Sequence, residues 1–289
     1  AAASAAVGGR PVRGAKSALR QPAGTFPGDH PGIVSRHVPT CLRGLHAPDA
    51  RIRAMPSWEE KVTAAAAQTA TADLRMLAGV PSWIILFGEA VLKHCQSTGR
   101  QVDTLAEVWP NLRLFVHGGV TFAPYAERCR ALIGREITYT DTYSASEGGM
   151  LAVQDQVGEP GMLPLLDRST FFEFVPAEEL GKPDARRFAC HEVETNVDYA
   201  IALTTDSGIV SYLVGDIVRF TSREPLRMVF AGRSAQTLNG FGEHLSGGEL
   251  ERAIASAAAA TEAIVSEFAV AVTARRAAAP ASSEPRGRC

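Results

Sequence analysis

An α/β fold is predicted, in which a mixed sheet with flanking helices is followed by a smaller antiparallel, barrel-like sheet. Two observations predict it. Between residues 58 and 145, long runs of helix formers alternate with short apolar runs, and from Ser169 onward the chain turns to short β-branched and aromatic runs separated by turn residues. Composition agrees: 289 residues with 46% hydrophobic and 21% charged content can bury a substantial core, as one large domain plus a smaller piece.

Ser57 followed by Glu60 is a capping-box pattern, and Trp58 to Leu74 follows as a long helix with Val62, Ala66 and Ala70 on one face. Met76 to Val80 reads as a short strand. Pro81-Ser82-Trp83 opens a second helix, with proline acceptable in its first turn and Ser82 as its cap. Leu112 to His117 is a third apolar run, ending at Gly118-Gly119, where the backbone can approach a neighbour or ligand closely. His117 at a strand end reads as a hydrogen-bonded structural residue rather than a general base. A helix over Pro124 to Ile133 stops at Gly134. Strand, helix, strand in this order predicts βαβ layering, with ligands expected at the carboxyl end of the sheet.

That end is occupied by the stretch TYTDTYSASEGGM, residues 138–150. Tyr143 offers an aromatic face, Ser144 and Ser146 offer hydroxyls, and Glu147 offers a carboxylate suited to Mg²⁺. Downstream, IVSYLVGDIVRF at 209–220 presents Asp216 behind Gly215, a carboxylate that could accept both hydroxyls of a ribose. Each motif alone is weak, since a polar capping loop and an ordinary Gly-Asp turn look the same. Together they read as a nucleotide site.

FFEFVP, NVDYAIALTT, IVSYLVGD, IVRFT and RMVFAG read as hairpin strands, with Phe171, Phe172 and Phe174 expected in the core. Glu178-Glu179, just past Pro176, is expected to be a solvated turn rather than a second metal ligand. Gly232-Arg233 closes this sheet, and Ser246 to Ala257 reads as a helix with Glu249 and Glu251 near its start. Beyond Ala257 the chain is rich in Ala, Arg, Ser and Pro.

The order YSASEGG, FFEFVP, YLVGDIVRF and FAGRSAQTLNGFGEHL resembles the auxin-responsive acyl acid amido synthetases of the adenylate-forming superfamily. The resemblance runs from about Pro39 to about Ala257 and includes GVPSW at 79–83, which in that family borders the acyl pocket. It implies an adenylate-forming fold, truncated here, and ATP with Mg²⁺ as the cosubstrate and ion. The implied chemistry joins a small carboxylic acid to an amine such as an amino acid. In that scheme the Gly118-Gly119 main chain lies near the adenine and Tyr143 faces it. Ser144 and Ser146 approach the α-phosphate, Glu147 holds Mg²⁺, Asp216 binds the ribose, and Arg233 acts catalytically from the hinge of a small C-terminal domain. On this basis 1–38 is expected to be a disordered or leader segment, 39–232 the central part of the large domain, 233–257 the start of the C-terminal domain, and 258–289 a low-complexity tail.

Departures from the family pattern bear on activity. No Ser/Thr/Gly-rich triphosphate loop is found among residues 1–60, the last lysine is Lys182, and Leu213 stands where many relatives carry an arginine. A fragment with impaired synthetase activity is therefore expected. The alternative is a non-catalytic remnant serving as a binding or interaction module. A thioester-forming ligase of the same superfamily is disfavoured by GFGEHL.

Net charge is −2, so no basic field points to nucleic acid or to an anionic membrane. The five cysteines show no metal-ligand spacing and read as free thiols of a reducing compartment. With no apolar run near the roughly 20 residues of a membrane span, a soluble cytoplasmic protein is expected.

Overall fold

The structure is a computed structural model. It describes residues 45–234 continuously, together with residue 39, the strands 13–16, 238–240 and 243–245 and scattered residues between 250 and 261. The described part is a mixed α/β fold built on two principal sheets. The first has the order β2-β1-β3-β4-β5-β6-β7 and the second β11-β10-β9-β8.

In the first sheet, β1 (Arg13–Lys16), β2 (His46–Ala47), β3 (Leu74–Gly79), β4 (Leu114–Gly118) and β5 (Thr138–Ala145) run parallel. Antiparallel β6 (Gly149–Val153) and β7 (Leu163–Pro164) complete it. The expected βαβ layering is present: α3 (Pro81–Ser97) links β3 to β4, and α5 (Ala126–Ile133) precedes β5. β1 falls within the segment expected to be disordered or a leader, and there it is a sheet strand. The rest of 1–38, about half of 233–257 and, but for residues 260 and 261, the tail expected over 258–289 lie outside the described residues.

Helix α1 (Ala50–Arg53) is short, and α2 (Trp58–Thr69) starts where the cap pattern places it. Ser57 Oγ accepts from Glu60 N at 3.3 Å, while its hydroxyl donates to Glu59 rather than completing a reciprocal box with Glu60. The helix ends five residues before the expected Leu74, which is fully buried as the first residue of β3. Helix propensity along 70–74 yields to sheet burial. For α3 the cap position is Val80, with no side-chain bond, and Pro81 fills the first turn, so Ser82 is two residues too late to cap. A complete capping box occurs instead at α4 (Leu105–Val108), between Thr104 and Glu107. Gly134, at φ 78°, stops α5 as anticipated.

These helices cover the parallel half of the sheet around a core containing Leu74, Leu77, Phe87, Leu105, Trp109 and Phe115. Trp109 is fully buried, stacks near Phe87 and donates its indole N–H to Thr69 O at 2.8 Å.

The second sheet consists of β8 (Thr170–Pro176), β9 (Asp198–Thr205), β10 (Tyr212–Arg223) and β11 (Leu226–Arg233), all antiparallel. Among the described residues β8 and β11 are its two edges, so it pairs as an open sheet rather than a closed barrel. IVSYLVGD and IVRFT are not separate hairpin arms. They form the single strand β10, interrupted by a bulge in which the register jumps from Leu213↔Ala202 to Ile217↔Ala200. Phe172 and Phe174 are in the core, but Phe171 is 59% exposed, because alternation along β8 turns it outward.

The two sheets share a second core, to which β5 and β6 contribute Tyr143, Leu151 and Ala152 and the antiparallel strands contribute Phe172, Phe174, Tyr199, Phe220 and Met228. Reciprocal backbone hydrogen bonds between Met162 and Met228 tie the sheets directly. A fork from Arg227 to Asp155, at 2.6 and 3.3 Å, adds a partly buried ionic link. No helix of the described residues is long and apolar enough to cross a membrane.

Candidate nucleotide site

The two sheets meet where β5 ends and β10 bulges. β5 runs to Ala145, and residues 146–148 turn it back into antiparallel β6, closed by Gly148 N donating to Ala145 O at 3.3 Å. The hydroxyl-rich stretch is therefore the tip of a hairpin at the carboxyl end of a parallel strand. A register slip between Tyr143 and Ser144 opposes Ser144 to Met150 and leaves Leu151 as the extra residue. Ser144 and Ser146 are exposed there, and Glu147 is half-buried.

On β10 the residues Val214, Gly215 and Asp216 occupy the space opposite one residue of β9. Gly215 takes φ 88°, a left-handed conformation that a Cβ would strain, and Ser234 Oγ donates to its carbonyl at 3.1 Å. The bulge turns the Asp216 side chain into the seam, where it is only 6% exposed.

Tyr143 meets it there, donating its hydroxyl to Asp216 Oδ2 at 2.8 Å. Arg233, paired with Asp216 in the β10–β11 register, brings Nε to 3.1 Å from Oδ1. That contact is an ion pair without hydrogen-bond alignment, so Oδ1 is a buried acceptor with no hydrogen-bond donor among the described residues. The Tyr143 ring is buried rather than open at the strand mouth, and it leans on Phe230 with centroids 6.3 Å apart. Burial, followed by the negative charge of Asp216, pushes the Tyr143 phenol well above its ordinary range; Glu147 is near enough to add to the effect. Asp216, far along the chain, thus meets Tyr143 and comes near the Glu147 turn four residues beyond it.

Gly118 and Gly119 end the neighbouring strand β4. A Cβ at Gly118 would stand 2.2 Å from Thr142 O, so this glycine lets β4 close on β5; Gly119 has φ 85°. His117 beside them is 4% exposed and stacks on Phe122, with ring centroids 4.0 Å apart. Its Nδ1 lies 3.3 Å from Asp141 Oδ1 without a hydrogen bond, while its carbonyl accepts from Thr142 Oγ1 at 2.7 Å. The Asp141 pairing and the Phe230 contact were not anticipated. Alternation along β5, which puts Tyr139, Asp141 and Tyr143 on one face, is the signal that could have found the former.

No group of three or more His, Cys, Asp or Glu side chains able to hold a metal occurs among the described residues. A donor set of one carboxylate at Glu147 suits an ion that arrives largely coordinated by substrate phosphates, as Mg²⁺ commonly does. Glu179 is already engaged by Arg186, which donates from its backbone N–H and from Nε at 2.8 Å each.

Comparison with known proteins now decides the family. Residues 29–137 match the GH3 family N-terminal domain and residues 163–233 the GH3 family central domain, together more than half of the chain. The chain belongs to the GH3 family. Among curated relatives, the jasmonoyl-L-amino acid synthetase GH3.5 of Oryza sativa subsp. japonica is 25% identical over 146 residues. The probable indole-3-acetic acid-amido synthetase GH3.12 of the same plant is 25% identical over 155 residues. Each match covers 45% of this chain and 25% of the relative, so the GH3 chain aligns with about a quarter of their length.

Solved structures agree on the fold. The acyl acid amido synthetase AtGH3.15 in complex with 2,4-DB superposes with a TM-score of 0.58 at 17% identity, over 73% of this chain and 46% of that one. A 2-hydroxyisobutyryl-CoA ligase in the postadenylation state gives 0.51 at 14% identity, over 68% and 40%. The fold is thus that of the adenylate-forming ligases.

Proposed function

We propose that this GH3 chain carries the adenylate site of an acyl acid amido synthetase, which activates a small carboxylic acid with ATP and passes it to an amine such as an amino acid. The observation that carries the reading is the buried Oδ1 of Asp216, without a hydrogen-bond donor among the described residues, beside Arg233 and beside Tyr143, the residue that leads into the Ser144–Glu147 turn. An acceptor with no donor inside a protein is costly unless a ligand hydroxyl fills it, and a ribose supplies such hydroxyls.

In this reading Asp216 accepts from the ribose, and the Gly118-Gly119 main chain borders the adenine. Ser144 and Ser146 donate to the α-phosphate. Glu147 holds Mg²⁺, which, when bound, offsets charge on the phosphate oxygens. Arg233, 62% exposed at the end of β11, can leave Asp216 and assist from the hinge. A carboxylate oxygen attacks the α-phosphorus and the bond to pyrophosphate breaks. The amine then attacks the acyl carbonyl carbon, and the bond to AMP breaks. No side chain forms a covalent intermediate, so the rate depends on positioning and electrostatics. A cytoplasmic location belongs to the same proposal, supported by cysteines without metal-ligand spacing.

Leu213, 38% exposed on β10 where the family resemblance implies an arginine, favours a second reading in which the chain binds nucleotide or a partner without catalysis. Carboxylate-dependent release of pyrophosphate separates the two. Release that rises with a supplied acyl acid supports the synthetase, and nucleotide binding without release supports the remnant.

A further inference from the structure

We infer that His117 is the base that takes the proton from the attacking amine, with Asp141 as the positioning residue that orients it. The inference rests on the synthetase reading and adds to it a catalytic residue outside the nucleotide seam. From its sequence position His117 reads as structural; its register partner is what changes that. His117 and Asp141 stand directly opposite each other across the parallel β4–β5 pair, with Nδ1 3.3 Å from Asp141 Oδ1. Of the two ring nitrogens only Nδ1 is sealed in without a hydrogen-bond partner among the described residues. A carboxylate facing Nδ1 selects the tautomer that carries its proton there, so Nε2 presents a lone pair. This is the arrangement of a base and its orienting group.

Both partners are held from behind. The imidazole stacks on Phe122, with planes 13° apart, and meets Phe115 edge-on at 5.6 Å. Asp141 N donates to Gln154 Oε1 at 3.1 Å, Gln154 N donates to Asp141 O at 2.9 Å, and Thr142 N donates to Asp141 Oδ1 at 2.9 Å. An unbonded buried nitrogen costs about 1–3 kcal/mol, and a phenylalanine would fill the same stack without it. Packing alone therefore does not account for a histidine here. A contact of 3.3 Å is long for a hydrogen bond, as such bonds commonly are before substrate arrives. The pair lies at the carboxyl end of the parallel strands, and Ser144 is three residues beyond Asp141, about 10 Å along an extended chain. An acyl carbon held near the Ser144–Ser146 hydroxyls and an amine approaching it fit within that interval. The amine enters as the free base. Its nitrogen bonds to the acyl carbonyl carbon, the bond from that carbon to the AMP oxygen breaks with its electron pair leaving on AMP, and the proton shed by the nitrogen passes to Nε2 and then to water. The Asp141 charge stabilises the imidazolium formed on the way.

The test supplies the activated acid ready-made, so that it does not depend on the chain's own adenylation. Acetyl-AMP or benzoyl-AMP is mixed with the full chain and the standard amino acids, and single-turnover amide formation is followed. Wild type is expected to accelerate the reaction over that in buffer. His117→Phe, which keeps the stacked ring and deletes both nitrogens, is expected to lower the rate constant about 100-fold or more, the reach of a general base, with the half-saturating adenylate concentration unchanged. Asp141→Asn is expected to lower the same rate constant about tenfold or more, and Asp141→Glu to recover part of the loss. A His117→Phe protein with the wild-type rate constant, or one altered only in its half-saturating concentration, overturns the inference while leaving the synthetase reading intact, because the residue would then shape acid binding alone. An Asp141→Asn protein at the wild-type rate overturns the orienting role, and if His117→Phe does not fold that result overturns the whole inference. No acceleration by wild type overturns the synthetase reading, and the inference with it.

Discussion

Asp216 carries opposing demands. Its buried carboxylate is stabilised by one hydroxyl and one nearby guanidinium, yet it keeps an acceptor without a donor. Asp216→Ala removes the ribose acceptor and leaves the Tyr143 hydroxyl buried without a partner, a loss of about 1–3 kcal/mol. Chemical denaturation is expected to show that destabilisation alongside at least tenfold weaker AMP binding. Unchanged stability would mean that water replaces the carboxylate. Glu147→Ala has a different signature. With the ribose acceptor intact, AMP affinity in the absence of Mg²⁺ is expected to survive, while the gain in ATP affinity on adding Mg²⁺ disappears. Buried titratable groups set the alkaline limit of stability. Burial holds the Tyr139 phenol up at about 12, against an ordinary 10.0, and pushes Tyr143 higher still. Folding favours the protonated phenols, so this stabilisation is complete below pH 10 and is lost as pH rises through the folded values. Unfolding free energy is expected to fall with pH above about 10. Tyr139→Phe should flatten that slope; a slope identical to wild type would show that Tyr139 ionises while folded.

At the scale of the element, two glycines shape the site in different ways. Gly118 exists for contact: a Cβ would meet the backbone oxygen of Thr142 at 2.2 Å, so Gly118→Ala forces β4 and β5 apart, at a cost of about 3 kcal/mol. Gly215 exists for conformation. At φ 88° the nearest atom to an added Cβ is Ser234 Oγ at 3.8 Å, so space is available but the dihedral is not. Gly215→Ala is expected to cost about 1–2 kcal/mol and to weaken AMP binding by tilting Asp216. A Gly215→Ala protein with wild-type AMP affinity would show that the bulge does not aim the carboxylate. The bulge is also the element least legible beforehand. YLVGDIVRF looked like two strand runs around a turn, because glycine before aspartate is ordinary turn chemistry. Pairing with β9 on both sides of the bulge, and with β11 from Asp216 onward, is what makes the two runs one strand.

Across the whole molecule, what the residue pattern made legible was whatever depends on local periodicity. The βαβ layering, the stop at Gly134 and the change to antiparallel strands after Ser169 were all readable from neighbouring residues. What depends on long-range pairing was not. The open rather than barrel-like pairing of the second sheet and the early end of α2 at Thr69 are decided by partners far along the chain. So is the outward face of Phe171, although alternation alone could have warned of it. The candidate site divides along the same line. Asp216 and the Ser144–Glu147 turn could be singled out because their flanks carry the family pattern. The commitment of the Tyr143 hydroxyl to Asp216 could not, since 73 residues separate the partners. This seam is also where the two sheets are joined, by Tyr143, by the Met162–Met228 pairing and by the Arg227–Asp155 fork. A nucleotide held at Asp216 therefore bridges both sheets and should stiffen the molecule against unfolding. The most direct measurement of the central claim is the heat of AMP binding to the full chain, wild type against Asp216→Ala. Saturable binding at millimolar AMP or below, weakened at least tenfold by the substitution, is the result expected. No heat at millimolar AMP, or equal affinity in the two proteins, would contradict it.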